Sequence, residues 1–279
     1  MPELPEVQTV INTLNHSGLH NQTISDIKIY KTKLIKNTTP SKFIKFLTGE
    51  KFIIVERIGK FLIFKMSHKK VLVVHLRMEG KMFYEPQAYS LPKNHLRIEF
   101  ILKNKHVLRY YDSRIFGTYD VYQGDDYLKA TQIKKLGLDP LDEHFNWQYL
   151  KKQINKCHKA IKTTLLDQTK LSGLGNIYVD EVLFLSRIHP LTKPSKLRDQ
   201  DFKNIAKFSK QTLLKAIKYG GTTVSSYRSD PNHAGRFQNM LLVHTRVGLP
   251  CYVCKTIIKK IKVNGRGTYF CPKCQKEIR

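Results

Sequence analysis

Two groups of residues in this 279-residue chain have the types and spacing for covalent or metal chemistry. One is Met1-Pro2-Glu3-Leu4-Pro5-Glu6-Val7 at the start. The other is Cys251-x2-Cys254 with Cys271-x2-Cys274 near the end. If Met1 is removed, Pro2 carries a free secondary amine. An α-amino group titrates near about 7.7–8.0, so a working fraction is unprotonated and nucleophilic at neutral pH. Attack on a sugar C1′ gives an iminium. Its positive centre draws electrons from neighbouring C–H and C–O bonds, as a lysine Schiff base does. Glu3 beside the amine and Glu6 one helical turn on supply a proton donor and a positioning group. The same residues also suit an ordinary helix start, with proline in the first turn and an acid near its positive end.

The two cysteine pairs are separated by 16 residues. Paired thiolates at this spacing suit a tetrahedral structural zinc site, with an iron–sulfur cluster as the alternative. All four positions are protein ligands, so none stays open for catalysis. The intervening residues alternate around Asn264-Gly265, a hairpin signal. Arg266 at the tip suits a phosphate or groove contact, against the alternative of an exposed arginine with no role. Cys157, outside the quartet, reads as a free thiol without a function.

Three weaker signals lie between these ends. Leu171-Ser172-Gly173-Leu174-Gly175-Asn176 is a Gly-rich turn opening a helix, which offers backbone N–H groups to a phosphate. Lys60 falls in a β-like run flanked by apolar residues. A desolvated lysine there can carry a proton, and an outward-facing strand lysine is the alternative. Met78, Arg114 and Phe116 each stand near the end of a β-like run. Such side chains can fill the space left by an extruded base, or they are core Met and Phe beside a surface Arg.

The elements that must hold these residues are legible in outline. Val7, Val10, Ile11 and Leu14 predict an amphipathic helix over 5–16, stopping near Gly18. Ile24–Tyr30, Phe52–Met66, Val71–Met78, Leu96–Leu102 and Val107–Tyr122 are β-like runs, with a short helix near Ser41–Leu47. They predict an antiparallel sandwich or barrel over about 20–125. After a connection at Gly137–Leu141, helices are expected at Phe145–Ile154, Thr164–Gln168, Ile177–Ser186 and Asp199–Lys218. Thr222–Phe237 reads as a long mobile loop.

Lys plus Arg is 49 and Asp plus Glu is 22, a formal net charge of +27. This excess points to a polyanionic partner, nucleic acid before membrane surface. No run of about 20 apolar residues predicts a membrane span. No basic-then-apolar signal pattern opens the chain, so secretion is not expected and the expected location is cytoplasmic, nucleoid-associated if the source is bacterial. In such a compartment paired Cys-x-x-Cys reads as metal rather than disulfide.

Together these motifs resemble the formamidopyrimidine-DNA glycosylase family of bifunctional base-excision repair enzymes, over essentially the whole chain. Met1–Glu6 resembles the family's N-terminal signature. Ser172–Tyr178 resembles its helix–two-turn–helix motif, and Val263–Thr268 with the four cysteines resembles its zinc finger. The resemblance implies Pro2 as nucleophile, Glu3 as the acid assisting sugar-ring opening, Lys60 as proton donor for β-elimination and Arg266 for δ-elimination and phosphate binding. It implies DNA contacts at His95, Arg114, Lys162, Asn176 and His158, and gap filling by Met78, Arg114 and Phe116. Glu6 and Glu181 match acidic positions that shape the family's pocket. Glu79 and the segment Ser225–Phe237 match regions tied to damaged-base recognition. Three positions depart from the pattern. Asp112-Ser113-Arg114-Ile115-Phe116-Gly117 carries Ser and Ile where relatives often have Pro and a second basic residue, and His158 stands where lysine is frequent.

The expected fold is thus α+β and multidomain. An N-terminal antiparallel β-sandwich with an N-terminal helix spans 1–136 and a linker spans 137–143. A helical domain with the helix–two-turn–helix motif spans 144–240, and a β-hairpin zinc finger spans 241–279. The expected function is excision of oxidised purines (8-oxoguanine and formamidopyrimidines) from duplex DNA by a monomer, followed by β,δ-elimination. One structural zinc and no nucleotide cofactor are expected. The alternatives are an endonuclease VIII-like enzyme for oxidised pyrimidines, against which Leu4 argues because those relatives usually have Gly there, and a non-enzymatic zinc-dependent DNA-binding protein.

Overall fold

The computed structural model describes residues 2–88, 94–222 and 235–277. The chain forms two compact units. One comprises Met1–Lys134 with Gly220–Gly235, the other Lys135–Tyr219 with Arg236–Arg279. The expected helical and zinc-bearing segments therefore share one unit, while the described residues 220–222 and 235 group with the first.

In the first unit, α1 (Leu4–His16) buries Val7, Val10, Ile11 and Leu14 along one stripe. Pro5 fits its first turn, where no backbone N–H is needed. A second helix, α2 (Pro40–Leu47), is capped by Thr39, whose hydroxyl accepts from Lys42 N. Two four-stranded antiparallel sheets follow. One orders β1 (Ile24–Ile29), β6 (Leu96–Leu102), β7 (His106–Tyr111) and β5 (Lys81–Pro86). The other orders β2 (Phe52–Ile58), β3 (Phe61–Met66), β4 (Lys70–His75) and β8 (Thr118–Gln123). Their inner faces share one core. Phe52 and Phe100 meet edge-on across the sandwich, and Tyr110 meets Tyr119 in the same way. α1 and α2 pack into that core through Val7, Leu14, Phe43 and Leu47.

Two runs read as continuous β divide in the structure. Phe52–Met66 breaks at Gly59-Lys60, a two-residue turn between the paired Ile58 and Phe61, with Gly59 at φ 55°. Lys60 therefore stands at a hairpin tip rather than within a strand, and it is buried there. Val107–Tyr122 breaks at 112–117, where an aspartate gathers the backbone into a loop (below). Strand β5 had no counterpart in the sequence reading, because Lys81–Pro86 carries a mixed pattern ending in proline.

A short helix, α3 (Thr131–Lys134), closes the first long segment of the first unit, and the second unit holds α4 (Trp147–Ile154), α5 (Ile161–Leu165), α6 (Asn176–Leu185) and α7 (Asp199–Lys218). Gln168 braces the turn between α5 and α6 by accepting from Gly173 N and donating to Leu174 O. The hairpin is β9 (Lys259–Val263) and β10 (Arg266–Phe270), joined at Asn264-Gly265 as the sequence predicts. The loop expected at 222–237 lies mostly outside the described residues.

One buried acid ties the first unit's connections together. Glu50 accepts from Ser67 Oγ, from His68 Nδ1 at 2.9 Å and from Lys70 Nζ at 2.8 Å. Burial alone would raise its pKa, but hydrogen bonds from Lys70, Ser67 and His68 outweigh that and hold it at about 2. A depressed folded-state pKa contributes stability that is complete above the ordinary value of 4.5 and is lost as pH falls toward about 2. Denaturant unfolding of the protein and of Glu50→Gln should therefore show a stability gap that is wide near neutrality and shrinks between those two pH values. A gap independent of pH would contradict this role.

Candidate functional site

Pro2 and Glu3 are buried immediately before α1. The local sequence makes a capping box: Glu3 accepts from the Glu6 backbone, and Glu6 Oε2 accepts from Glu3 N at 2.9 Å. The other Glu6 oxygen accepts from Thr222 N at 2.8 Å and Thr222 Oγ1 at 3.0 Å. Glu6 is thus a clamp joining the chain start to the residues that open the 222–237 segment. Gly221 makes that approach feasible. A Cβ there would stand 2.8 Å from Glu6 Oε1, and its backbone has φ +73°.

Lys60 is brought beside the same helix by Arg57. Its Nε donates to Gln8 Oε1 on α1 at 3.0 Å, and its guanidinium donates to Gly59 O at 2.9 Å. His75 lies in the same surroundings. Its ring meets Phe61 edge-on at 4.5 Å, and Nδ1 accepts from Arg77 N. Burial, reinforced by the charges of Arg77 and Lys60, pushes its pKa down to about 3, so the ring is neutral at working pH.

The expected gap-filling residues stand on two loops of the first unit. Asp112 organises one of them. Its carboxylate accepts from Arg114 N, Phe116 N, Gly117 N and Tyr110 Oη, all at 2.9–3.0 Å. This holds Ile115, a β-branched residue, at φ 56°, a conformation it disfavours. Arg114 and Phe116 are pushed outward, and the guanidinium carbon lies 4.6 Å from the Phe116 ring centroid. Met78 and Phe116 are 37% and 48% exposed, so neither is the core residue of the alternative reading. Glu79 is hydrogen-bonded to Ser113, which joins the two loops. His95 is exposed, and its carbonyl accepts from Asp112 N. Lys33, Lys36 and Arg77 line a groove with Met78, Ile115, Phe116 and Thr118. Sequence reasoning missed Arg57 and these cations, which belong to no motif. Asp112 entered the sequence reading only as the first residue of the 112–117 segment compared with the family, with no role assigned to it.

In the second unit, Arg266 and Asn264 line a concavity of about 540 Å³ with Lys156, His158, Lys159 and Lys170. Arg266 and His158 are exposed there. Two other expected DNA contacts are placed differently. Lys162 is 0% exposed and pairs with Asp180 at 2.7 Å, so its ammonium does not face solvent. Asn176 gives an amide N–H to Gly267 O at 3.1 Å. Glu181, expected to shape the lesion pocket, is buried and accepts from the backbone N–H groups of Leu242, Val243 and His244. Burial raises its pKa in spite of those bonds.

The four cysteine sulfurs lie within 4.8 Å of one another. A tetrahedron with Zn–S of about 2.3 Å has S···S edges of about 3.8 Å. Cys251 and Cys274 are 3.9 Å apart, and Cys254 and Cys271 are 3.4 Å apart. Cys274 N also points at Cys271 Sγ, as suits a thiolate. The quartet fits one structural zinc held by Cys251, Cys254, Cys271 and Cys274. Phe184 of α6 and Val243 pack in one cluster with Cys251 and Cys271, so the cysteine quartet and the helix share a core.

Three family models match the chain: the formamidopyrimidine-DNA glycosylase N-terminal domain over 1–119, the formamidopyrimidine-DNA glycosylase H2TH domain over 136–228, and the zinc finger found in FPG and IleRS over 248–276. Curated relatives include a formamidopyrimidine-DNA glycosylase of Ureaplasma parvum, 47% identical, covering 99% of this chain and 100% of that one. One from Mycoplasma pneumoniae is 41% identical, with 99% of both chains covered. Among solved structures, a Lactococcus lactis FPG mutant bound to Fapy-dG-containing DNA matches with TM-score 0.93 at 37% identity, over 99% of this chain and 100% of that one. The Lactococcus lactis protein bound to abasic-site DNA matches with TM-score 0.92 at the same identity and coverage.

The Asp112 arrangement has a measurable consequence. Asp112→Ala would leave three backbone donors and a tyrosine hydroxyl without their acceptor. Denaturant unfolding should show a loss of roughly 2–4 kcal/mol, with weaker binding to a gapped or lesion-bearing duplex. Unchanged stability and affinity would show that the loop holds its shape without the carboxylate.

Proposed function

The chain belongs to the formamidopyrimidine-DNA glycosylase family, and we propose that it excises oxidised purines, 8-oxoguanine and formamidopyrimidines, from duplex DNA and then cuts the strand by β,δ-elimination. The observation that carries the reading is the Glu6 clamp. It sets Pro2 and Glu3 at a fixed place beside α1, with Arg57 holding the turn of Lys60 next to the same helix.

The chemistry then follows from the residues. With Met1 removed, the Pro2 nitrogen bonds to C1′ as the glycosidic bond breaks and the base departs with its electron pair and a proton. Glu3 gives a proton to the ring oxygen O4′, which opens the sugar and leaves an iminium between Pro2 and C1′. The iminium acidifies C2′. Loss of that proton to solvent expels the 3′-phosphate, and Lys60 donates a proton to the departing phosphate oxygen. A second elimination expels the 5′-phosphate, with Arg266 binding the departing group. Pro2 cannot reach C1′ within the stack, so the nucleotide must swing out. Met78, Arg114 and Phe116 occupy the gap, and their exposure on the Asp112-braced loops supports this. His95, Arg114, His158 and Arg266 bind phosphates in a salt-dependent, largely sequence-blind way. Glu6, Glu79 and Glu181 shape the region around the lesion, Glu181 from a distance through the 242–244 backbone. Lys162 and Asn176 act on the hairpin rather than on DNA directly. Zinc supplies folding energy to the finger and takes no part in bond breaking.

This activity places the protein in base-excision repair, in the cytoplasm with the nucleoid. Among the described residues no helix is long and apolar enough to cross a membrane. The division into 1–136, 137–143, 144–240 and 241–279 describes functional segments. The pyrimidine reading draws support from one Lactococcus lactis neighbour bound to DNA containing an oxidised pyrimidine.

Two measurements test the proposal. Pro2→Gly should lose most base excision while affinity for an abasic-analogue duplex stays near that of the parent. Equal loss of both would assign Pro2 a structural role. Excision should be faster from oxidised-purine than from oxidised-pyrimidine duplexes, and the reverse order would favour the second reading. Separately, chelating zinc or substituting Cys271→Ser should lower DNA affinity and the unfolding temperature together. Full affinity without zinc would contradict the finger's role.

A further inference from the structure

A buried polar cluster in the second unit centres on Asp180, which takes part in none of the steps above. Asp180, on α6, is 1% exposed. One of its oxygens pairs with Lys162 Nζ at 2.7 Å. The other lies 2.8 Å from His244 Nδ1 and accepts from Tyr269 N at 3.2 Å. A carboxylate only accepts, so the His244 ring carries a proton on Nδ1. The Lys162 ammonium has a further partner, Gly267 O at 3.0 Å. That same carbonyl accepts from Asn176 at 3.1 Å. Two donors from α5 and α6 therefore converge on one carbonyl of β10, one residue beyond Arg266. The next acid along, Glu181, takes the N–H groups of Leu242, Val243 and His244 on the approach to the finger.

This arrangement costs a buried charge pair, and such pairs are weak contributors to stability compared with apolar packing. What a fully satisfied buried network does supply is a single geometry. The geometry it defines here is that of β10 against α6, at the strand carrying Arg266.

We infer that Asp180 is the positioning residue for Arg266. Through Lys162 it fixes the Gly267 carbonyl, and through Tyr269 N and His244 it fixes the rest of β10, so that the Arg266 guanidinium is presented in one place. The inference rests on the assignment of Arg266 to the second elimination. It also explains why Lys162, matched to a DNA-contacting position, has no exposed surface: its contribution to DNA handling passes through the hairpin.

The test uses full-length, zinc-loaded protein and an abasic-site duplex, with products separated into β- and β,δ-cleaved strands. In Asp180→Asn the ratio of δ to β product should fall by roughly tenfold, while borohydride trapping and one zinc per chain are retained. A folded, zinc-loaded Asp180→Asn with the parent's product ratio overturns the inference. If that variant does not fold, His244→Phe, which leaves the Lys162–Asp180 pair intact, is read in the same way. A fall of about threefold is expected from this looser restraint, and an unchanged ratio overturns the proposal. Parent protein that makes no δ product, or an Arg266→Ala variant with the parent's ratio, would instead defeat the assignment of Arg266, and the two failures are distinguishable.

Discussion

A carboxylate that is 3% exposed needs several hydrogen bonds to offset its lost hydration, and Glu6 has them from two distant parts of the chain. That requirement is what fixes the start of the polypeptide. Chain ends are usually the least ordered part of a domain. Here the capping box and the Thr222 contacts tie Glu3 and Glu6 into the first unit. Everything proposed for Pro2 and Glu3 depends on this, because a nucleophile on a loose terminus would lose the advantage of proximity. The same economy appears at Asp112, where one carboxylate shapes the loop bearing Arg114 and Phe116, and at Arg57, which links α1 to the Lys60 turn.

The second unit uses buried charge for a different end. Asp180 and Glu181 are neighbours on α6 and divide the finger between them. One holds β10 and the other holds the 242–244 approach. The zinc-bearing quartet closes the far side of the same small core, with Phe184 and Val243 against it. A finger this small buries too little apolar surface to hold its shape alone. Metal, helix and ion pair each supply part of the constraint. The exposed cations then need no further scaffold, and Arg266 shares a concavity with His158, Lys156, Lys159 and Lys170, in which cations outnumber the one lining carboxylate, Asp167.

How much of this the sequence revealed varied with the kind of interaction. The cysteine spacing, the Asn264-Gly265 turn and the apolar stripe of α1 are local signals, and each reappears where the spacing predicts. The antiparallel sandwich was legible as a class because β-branched and aromatic runs recur between turn residues. The break at Gly59-Lys60 was not, since one glycine among apolar neighbours looks the same in a strand and in a hairpin tip. Lys162 shows the sharper limit. Its type and position match a DNA contact, yet its surroundings are set by Asp180 and Gly267, which lie 18 and 105 residues away. Burial of a charged side chain is decided by such partners, and no local pattern announces it. Glu181 is the same case, with its acceptors used on backbone 61–63 residues downstream.

The central claim is that a proline amine makes the covalent bond to the sugar. Reducing a single-turnover mixture of protein and oxidised-purine duplex with borohydride, then digesting and mapping the adduct by mass spectrometry, tests it most directly. The account predicts a deoxyribose-derived mass on an N-terminal peptide that begins at Pro2. An adduct carried by Lys60 or any other lysine, or active protein that still retains Met1, would contradict it.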